Sequence, residues 1–500
     1  MVAPCRPPSP SGMSIPAGLT SLGPLSFGRL DGALLLSNDA GRWALLDAES
    51  EAALLGGTLG PDHPRYAQLA AAGFLREAMD VPALVERVRS RMAPRFQGTS
   101  LHILVVTLRC DHACGYCHAS RVPMAATGAD MSLDTARQAV DLAFQTASPL
   151  VNFEFQGGEP LAAPDTVRFV IEYAREANKY HKKDLRFSLV TNLSRMREEY
   201  LPWLVAPDVA ICTSLDGPAD LHDENRHLMG GGSSFAVATG WLRRFREVYG
   251  EAGLDPGLFH VEALLTATRA SLGRARDVVD TYLELGLPAL HLRPLNRYGF
   301  AAAAWDRIGY TPAEYLEFYF AALDAVITAN GAGRDLREQT AAVYLTKLLT
   351  PREPGHMDLR SPCGAAIGQL AYAPDGQIYT CDEGRMLARS GDQTFRVGHV
   401  AADRWSHAVN HRIVRAITLA STLETLPGCN ECVYRPFCGV CPLQSWAAEG
   451  NLFARKAGSD RCALQKGQLE GLLRRLRDDA DGSTARLFHR WTVHRERGEG

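Results

Sequence analysis

Between residues 101 and 295, short apolar runs alternate with longer stretches of helical period. The runs 101–108, 150–156, 185–191, 209–215, 260–266 and 289–295 are rich in Val, Leu, Ile and Phe and predict strands. The stretches 132–147, 165–180 and 269–285 space their apolar residues for amphipathic helices. Strands and helices alternating in series argue for a parallel sheet covered by helices. Right-handed crossovers can curl such a sheet, so the expected fold is α/β, a partial (β/α)6 TIM-type barrel. Unusual residues follow the strands: Cys110 after the first, Gly157-Gly158-Glu159 after the second, Asn192 after the third and Asp216 after the fourth. In parallel barrels the C-terminal strand ends carry the active site.

Outside that region the pattern changes. Residues 1–20 are rich in Pro, Ser and Gly and are expected to be disordered. Residues 21–97 read as a small N-terminal α+β unit. Ala33-Leu-Leu-Leu and Trp43-Ala-Leu-Leu flank S-N-D-A-G-R as a hairpin, and helices are expected at 64–72 and 81–92. The barrel is assigned to 98–334. A helix at 335–349 then leads into a Cys-rich, turn-rich region, assigned to 335–470, with a polar helix at 463–477. A polar tail is expected over 471–500. No internal repeat is visible.

A chain of 500 residues calls for more than one unit. Hydrophobic residues at 46% and charged residues at 22% are ordinary for a folded protein, and a net charge of −3 points to neither nucleic acid nor an anionic membrane. The N-terminus lacks an apolar signal region, and no run is long enough to span a bilayer, so a cytoplasmic location is expected. That compartment is reducing, and clustered Cys there mean metal or catalysis rather than disulfides. Of the 12 Cys, Cys110, Cys114 and Cys117 form one tight group. Cys429, Cys432, Cys438 and Cys441 form another, with Cys363, Cys381 and Cys462 around it. Cys212, in V-A-I-C-T, reads as a buried core thiol, and Cys5 stands in the Pro-rich start.

The loop C-D-H-A-C-G-Y-C offers three thiolates to one metal group. A [4Fe–4S] cluster bound by three Cys keeps one iron open for a small molecule. A zinc site completed by His112 or His118 is the other reading. Cys110, Cys114, Tyr116 and Cys117 resemble the cluster loop of the radical S-adenosylmethionine (radical SAM) superfamily. The resemblance implies that the open iron chelates S-adenosylmethionine, with Tyr116 near the adenine, and that one electron yields a 5′-deoxyadenosyl radical. Gly157-Gly158-Glu159-Pro160 resembles the superfamily's amino-group motif, in which Glu159 holds the methionine ammonium and the glycines admit a close backbone approach. S-L-D-G-P-A-D-L-H-D-E-N-R is similar to a segment of the peptide-modifying branch, which implies cofactor contacts at Ser214 and Arg226. Asn192 and Arg293 are weaker candidates of the same kind.

The second Cys set resembles the SPASM domain, an auxiliary-cluster module. That resemblance implies one cluster on Cys363, Cys381 and Cys441 and another on Cys429, Cys432, Cys438 and Cys462. The last pair is C-x2-C where the family has C-x3-C, and no Cys lies between 363 and 381, so the first cluster has three thiolates. Its fourth position is open, or filled by another residue or by substrate. Structural zinc stays an alternative here too. Y-T-C-D-E-G-R-M and L-R-C-D-H-A-C-G-Y-C-H-A-S-R are similar to maturases of the His-Xaa-Ser repeat peptide system. The function implied is radical modification of a ribosomally made precursor peptide or protein, with Asp382 as catalytic proton acceptor. The implied partners are flavodoxin or ferredoxin as electron donor and a second maturase subunit, with no nucleic acid and no membrane. The N-terminal unit is either a peptide-docking module or a bland hairpin. A formylglycine-forming enzyme of the anaerobic sulfatase-maturating type and a zinc-stabilised binding protein are the competing readings.

Overall fold

The computed structural model describes residues 21–493; the tail expected at 1–20, with Cys5, lies outside them. The described chain forms two compact units. In the first, β1 (Ser26–Leu30), β2 (Ala33–Ser37) and β3 (Trp43–Leu46) pair as an antiparallel sheet in sequence order. The expected hairpin is β2–β3. β1 joins through Asp31-Gly32, whose φ angles of 49° and 86° suit a tight two-residue turn. Helices Ala48–Gly56, Tyr66–Ala71 and Val81–Met92 follow. Leu34, Leu36, Leu46, Leu54, Leu69 and Phe74 make the core. This unit also takes in Glu431–Pro436, which a boundary at 97 does not anticipate. The reason is polar: the Ser37 hydroxyl donates to the Val433 carbonyl at 2.6 Å, and Arg91 donates to the Pro436 carbonyl at 2.7 Å.

The second unit is built on a ten-stranded sheet. Its strands are β4 (Leu101–Thr107), β5 (Leu150–Gly157), β6 (Asp184–Thr191), β7 (Val209–Ser214), β8 (Val261–Thr266), β9 (Ala289–Arg293), β10 (Arg337–Glu338), β11 (Gln369–Tyr372), β12 (Gln377–Tyr379) and β13 (Arg396–His399). β4 to β9 run parallel in sequence order, as the six apolar runs predict. Helices such as Leu133–Ala143, Pro164–His181 and Ala275–Glu284 cover them. On β5, Val151, Phe153 and Phe155 are buried under those helices, while Asn152, Glu154 and Gln156 alternate onto the inner face.

The Cys-rich region is not a separate body. β10 adds parallel to β9, and β11 adds parallel to β4 with Gln369 beside Leu101. Without β11 the edge of β4 would be unpaired. The 334/335 boundary therefore runs through one continuous sheet. The polar tail expected at 471–500 is also different. Helix Asp460–Arg477 is followed by helix Ser483–Trp491, which buries Leu487, Phe488 and Trp491 against helices Pro312–Gly331 and Gln339–Leu349. Those apolar residues share one face among charged neighbours, which hides them in a composition count. Among the described residues no helix is long and apolar enough to cross a membrane.

Glu338 locks the far edge of this sheet. Its buried carboxylate accepts from the backbone N–H of Thr340 and Ala341 at the start of helix Gln339–Leu349, and from the Tyr319 hydroxyl at 2.8 Å. Glu338→Ala removes a helix cap and strands buried donors, which should cost roughly 2–4 kcal/mol. A lower urea midpoint with unchanged m-value would show it.

Candidate active site

The loop after β4 is pinned by backbone hydrogen bonds. Cys110 N–H donates to the Val122 carbonyl at 3.1 Å, Ala113 N–H to His227 at 2.7 Å and Gly115 N–H to Asn225 at 3.3 Å. Arg109 anchors its base, pairing with Asp130 at 2.5 Å. Cys110 is buried and Cys114 and Cys117 are half-buried. Burial pushes the Cys114 thiol up to about 12 and that of Cys110 up further. Thiols must lose their protons to bind metal, so a cation here would oppose a shift that comes first from burial and then from neighbouring acidic groups. The ligand atoms of Cys110, Asp111 and His112 lie within 4.8 Å of one another.

Beside the loop stands the end of β5. A Cβ on Gly157 would lie 2.0 Å from the Thr107 carbonyl oxygen, and one on Gly158 would lie 2.3 Å from that of Arg109. The close approach that requires glycine is thus to the chain's own β4 end, not to a ligand. It sets Glu159, whose N–H donates to the Arg109 carbonyl at 2.7 Å. The Glu159 side chain is fully buried. It accepts from Leu161 N–H at 2.9 Å, the Thr191 hydroxyl at 2.6 Å and Asn192 N–H at 2.8 Å. All three partners are neutral, and burial raises its carboxyl to about 7. Asn192 links the two features: its amide also reaches His112 Nδ1 at 2.8 Å and Cys110 Sγ at 3.6 Å.

Asp216, which follows β7, organises the opposite side. Its carboxylate accepts from the Tyr116 hydroxyl at 2.6 Å and from Arg226 Nε at 2.9 Å. The Arg226 guanidinium lies over the Tyr116 ring, 5.2 Å from its centroid. Two of its nitrogens are engaged by Asp216. Sequence analysis singled out Asp216 only as a strand-end residue; the signal it offered was its place in the S-L-D-G segment. Ser214 is half-buried on the inner face of β7. Cys212 is there too, half-buried rather than in the core, because Val209, Ile211 and Thr213 take the alternate, helix-covered positions.

In the second Cys set, Cys363, Cys381 and Cys441 share one apolar cluster with Ala365, Phe395 and Leu443. Cys429 and Cys438 pack against Leu423, Leu426 and Val440. Cys438 Sγ approaches Gln465 Oε1 at 3.2 Å, and Cys462 lies in the first turn of helix Asp460–Arg477. Cys432 falls in Glu431–Pro436, the segment that packs with the N-terminal unit. Asp382 opens helix Asp382–Arg389 and pairs with Arg385 at 2.7 Å. Its carboxylate interacts electrostatically with Glu154 on the inner face of β5 and with His118. Glu154 was missed from the sequence, although its period-2 spacing from Gln156 marks it as inward-facing.

Residues 104–256 match the family model of the Radical SAM superfamily. That stretch is similar to a radical SAM domain. The match runs from within β4 through β7, with the loops that follow those strands. The fold agrees with solved structures. Native anSMEcpe with bound AdoMet aligns with a TM-score of 0.60 at 18% identity, over 76% of this chain and 99% of that one. Streptococcus suis SuiB bound to precursor peptide SuiA aligns with a TM-score of 0.53 at 13% identity, over 88% and 99%. No curated protein matches the chain in sequence.

The residues present suit the radical SAM cofactor pair. Cys110, Cys114 and Cys117 supply three thiolates from one loop, and Glu159 is a buried anion lacking a cationic partner among its hydrogen bonds, as an ammonium requires. Only ionised Glu159 can pair with that ammonium. Because its carboxyl is raised to about 7, a proton competes with the ligand below that pH. S-adenosylmethionine affinity should therefore fall by about tenfold per pH unit below 7 from this group. Glu159→Gln should bind more weakly at pH 7.5 and lose this dependence. Anaerobic equilibrium dialysis across pH 5.5–7.5 measures both.

Proposed function

We propose that this radical SAM enzyme is a maturase that modifies a ribosomally made precursor peptide, in the manner of a SPASM-type enzyme with two auxiliary iron–sulfur clusters. The observation that carries the reading is a bridge between the two Cys regions: Arg385, paired with Asp382 at 2.7 Å, donates to the Ala119 carbonyl just past Cys117 at 3.4 Å. The helix that follows Cys381 thus reaches the loop that follows β4 and bears the first Cys group. A second Cys set opening onto the barrel interior suits an enzyme that must take electrons away from a carbon radical. Two solved relatives of this fold support a peptide in that space: one anSMEcpe structure holds AdoMet with the Cp18Cys peptide, and SuiB holds its precursor peptide SuiA.

When bound, the catalytic cluster and S-adenosylmethionine supply the radical that abstracts a substrate hydrogen. The chain's own residues do the rest. Glu159 and Asn192 orient the ammonium end, and Tyr116, held by Asp216 and Arg226, walls the adenine side. Glu154 and Asp382 line the space where the substrate carbon sits. Asp382, steadied by Arg385, accepts the proton lost as the product forms. A cytoplasmic setting, a flavodoxin or ferredoxin donor and a second maturase subunit complete this reading. The three-stranded N-terminal unit is assigned to peptide docking.

Replacing Cys110, Cys114 and Cys117 together with Ala should abolish 5′-deoxyadenosine formation under dithionite. The same protein should retain roughly eight irons per chain, two four-iron clusters. Zinc with little iron after anaerobic reconstitution would overturn the cluster assignment. Co-expression with small open reading frames beside the gene, followed by peptide mass measurement, tests the substrate. With that peptide, Asp382→Asn should keep cofactor cleavage while product falls at least roughly tenfold. Full product yield would remove Asp382 from the mechanism.

A further inference from the structure

The end of β6 reaches the first Cys group through one side chain. The amide nitrogen of Asn192 lies 3.6 Å from Cys110 Sγ, 2.8 Å from His112 Nδ1 and 3.4 Å from Asp111 Oδ1. The far end of the amide fixes which way round it sits. Asn192 Oδ1 accepts from the Ser194 backbone N–H at 2.8 Å. A backbone N–H can only donate, so the oxygen belongs on that side and the NH2 faces Cys110. The amide has two hydrogens. The short contact takes one to His112 Nδ1 and leaves the other for Cys110 and Asp111. Cys110 Sγ also accepts from the His112 backbone N–H at 3.4 Å.

A rarely adopted turn holds the amide in place. Leu193 is fully buried at φ 63°, in the left-handed region that favours glycine. Its N–H donates to the Thr191 hydroxyl at 2.9 Å. Strain of this kind persists only where the surrounding structure over-determines it, and it gathers at functional sites. Asp111 braces the same turn, with Ser194 Oγ and Arg195 Nε each 2.8 Å from its carboxylate. The backbone N–H of Asn192 holds Glu159 at 2.8 Å. One residue thus ties the carboxylate assigned to the ammonium, through its main chain, to a sulfur assigned to iron, through its side chain.

We propose that the Asn192 side-chain amide donates to the Cys110 thiolate and raises the reduction potential of the cluster on Cys110, Cys114 and Cys117. This rests on the placement of the catalytic cluster on that loop. A donor N–H beside a ligating sulfur stabilises the extra negative charge of the reduced cluster more than the smaller charge of the oxidised one. Asn192 is therefore a positioning residue that acts through Cys110. It eases entry of the single electron that S-adenosylmethionine cleavage consumes.

The test uses the full chain, reconstituted anaerobically and titrated against potential with electron paramagnetic resonance, with and without S-adenosylmethionine. The signal that S-adenosylmethionine alters belongs to the cluster with an open iron. Its midpoint should shift to lower potential in Asn192→Leu, which keeps the bulk and lacks the donor, while the other iron–sulfur signals stay in place. Packing that merely loosened and let water reach the cluster would stabilise the reduced state and move the midpoint the other way, so the sign separates the two roles. An unchanged or raised midpoint would overturn the proposal, as would an equal shift of every signal. If Asn192→Leu loads no cluster on that loop, native protein labelled with 15N-asparagine decides. Pulsed resonance on the S-adenosylmethionine-sensitive signal should show amide 15N coupling, and its absence would overturn the role of Asn192. Native protein with no such signal would fail the cluster placement itself and the proposal with it, whereas a normal signal indifferent to Asn192→Leu would fail the proposal alone.

Discussion

Acidic groups buried without a cation are costly, and this chain gathers them around its two Cys sets. Cys110, Cys114 and Glu159 crowd one end of β4 and β5, and Cys363, Cys381 and Cys441 crowd a separate apolar cluster. In the protein alone, burial holds these groups toward their protonated forms. Metal and ligand ammonium would supply the missing positive charge. The glycines before Glu159 press β5 against β4, and Asn192 closes the gap between Glu159 and Cys110.

The barrel was legible because its signal is repeated. Six apolar runs with helical stretches between them leave few alternatives, and each run became a strand within one or two residues of its expected ends. The Cys loop and Glu159 were legible because their residue types have few other uses at strand ends. What escaped notice depended on partners distant in sequence. β10 and β11 are too short to show a period, and only pairing with β9 and β4 makes them strands. Asp216 looks like any turn carboxylate until Tyr116 and Arg226 converge on it.

Other misreadings came from averaging over composition. Cys212 sits in an apolar run, yet strand alternation turns it to the inner face with Ser214. The C-terminal stretch is charged overall, yet Leu487, Phe488 and Trp491 share the buried face of a helix. In both cases the period, not the mean, decides where a side chain goes.

The pairing of β11 with β4 has a mechanical consequence. β4 runs into the loop that bears Cys110, and the β11–β12 hairpin runs into Cys381. Cys110 and Cys381 thus follow two strands of one sheet, β4 and β12, with β11 between them, so the span between these two is as stiff as the sheet itself. A hinge that widened it would have to break the pairing of β11 with β4. Adaptation must come from the guest, which favours a pliant, extended chain threaded between two fixed walls over a folded body presented whole.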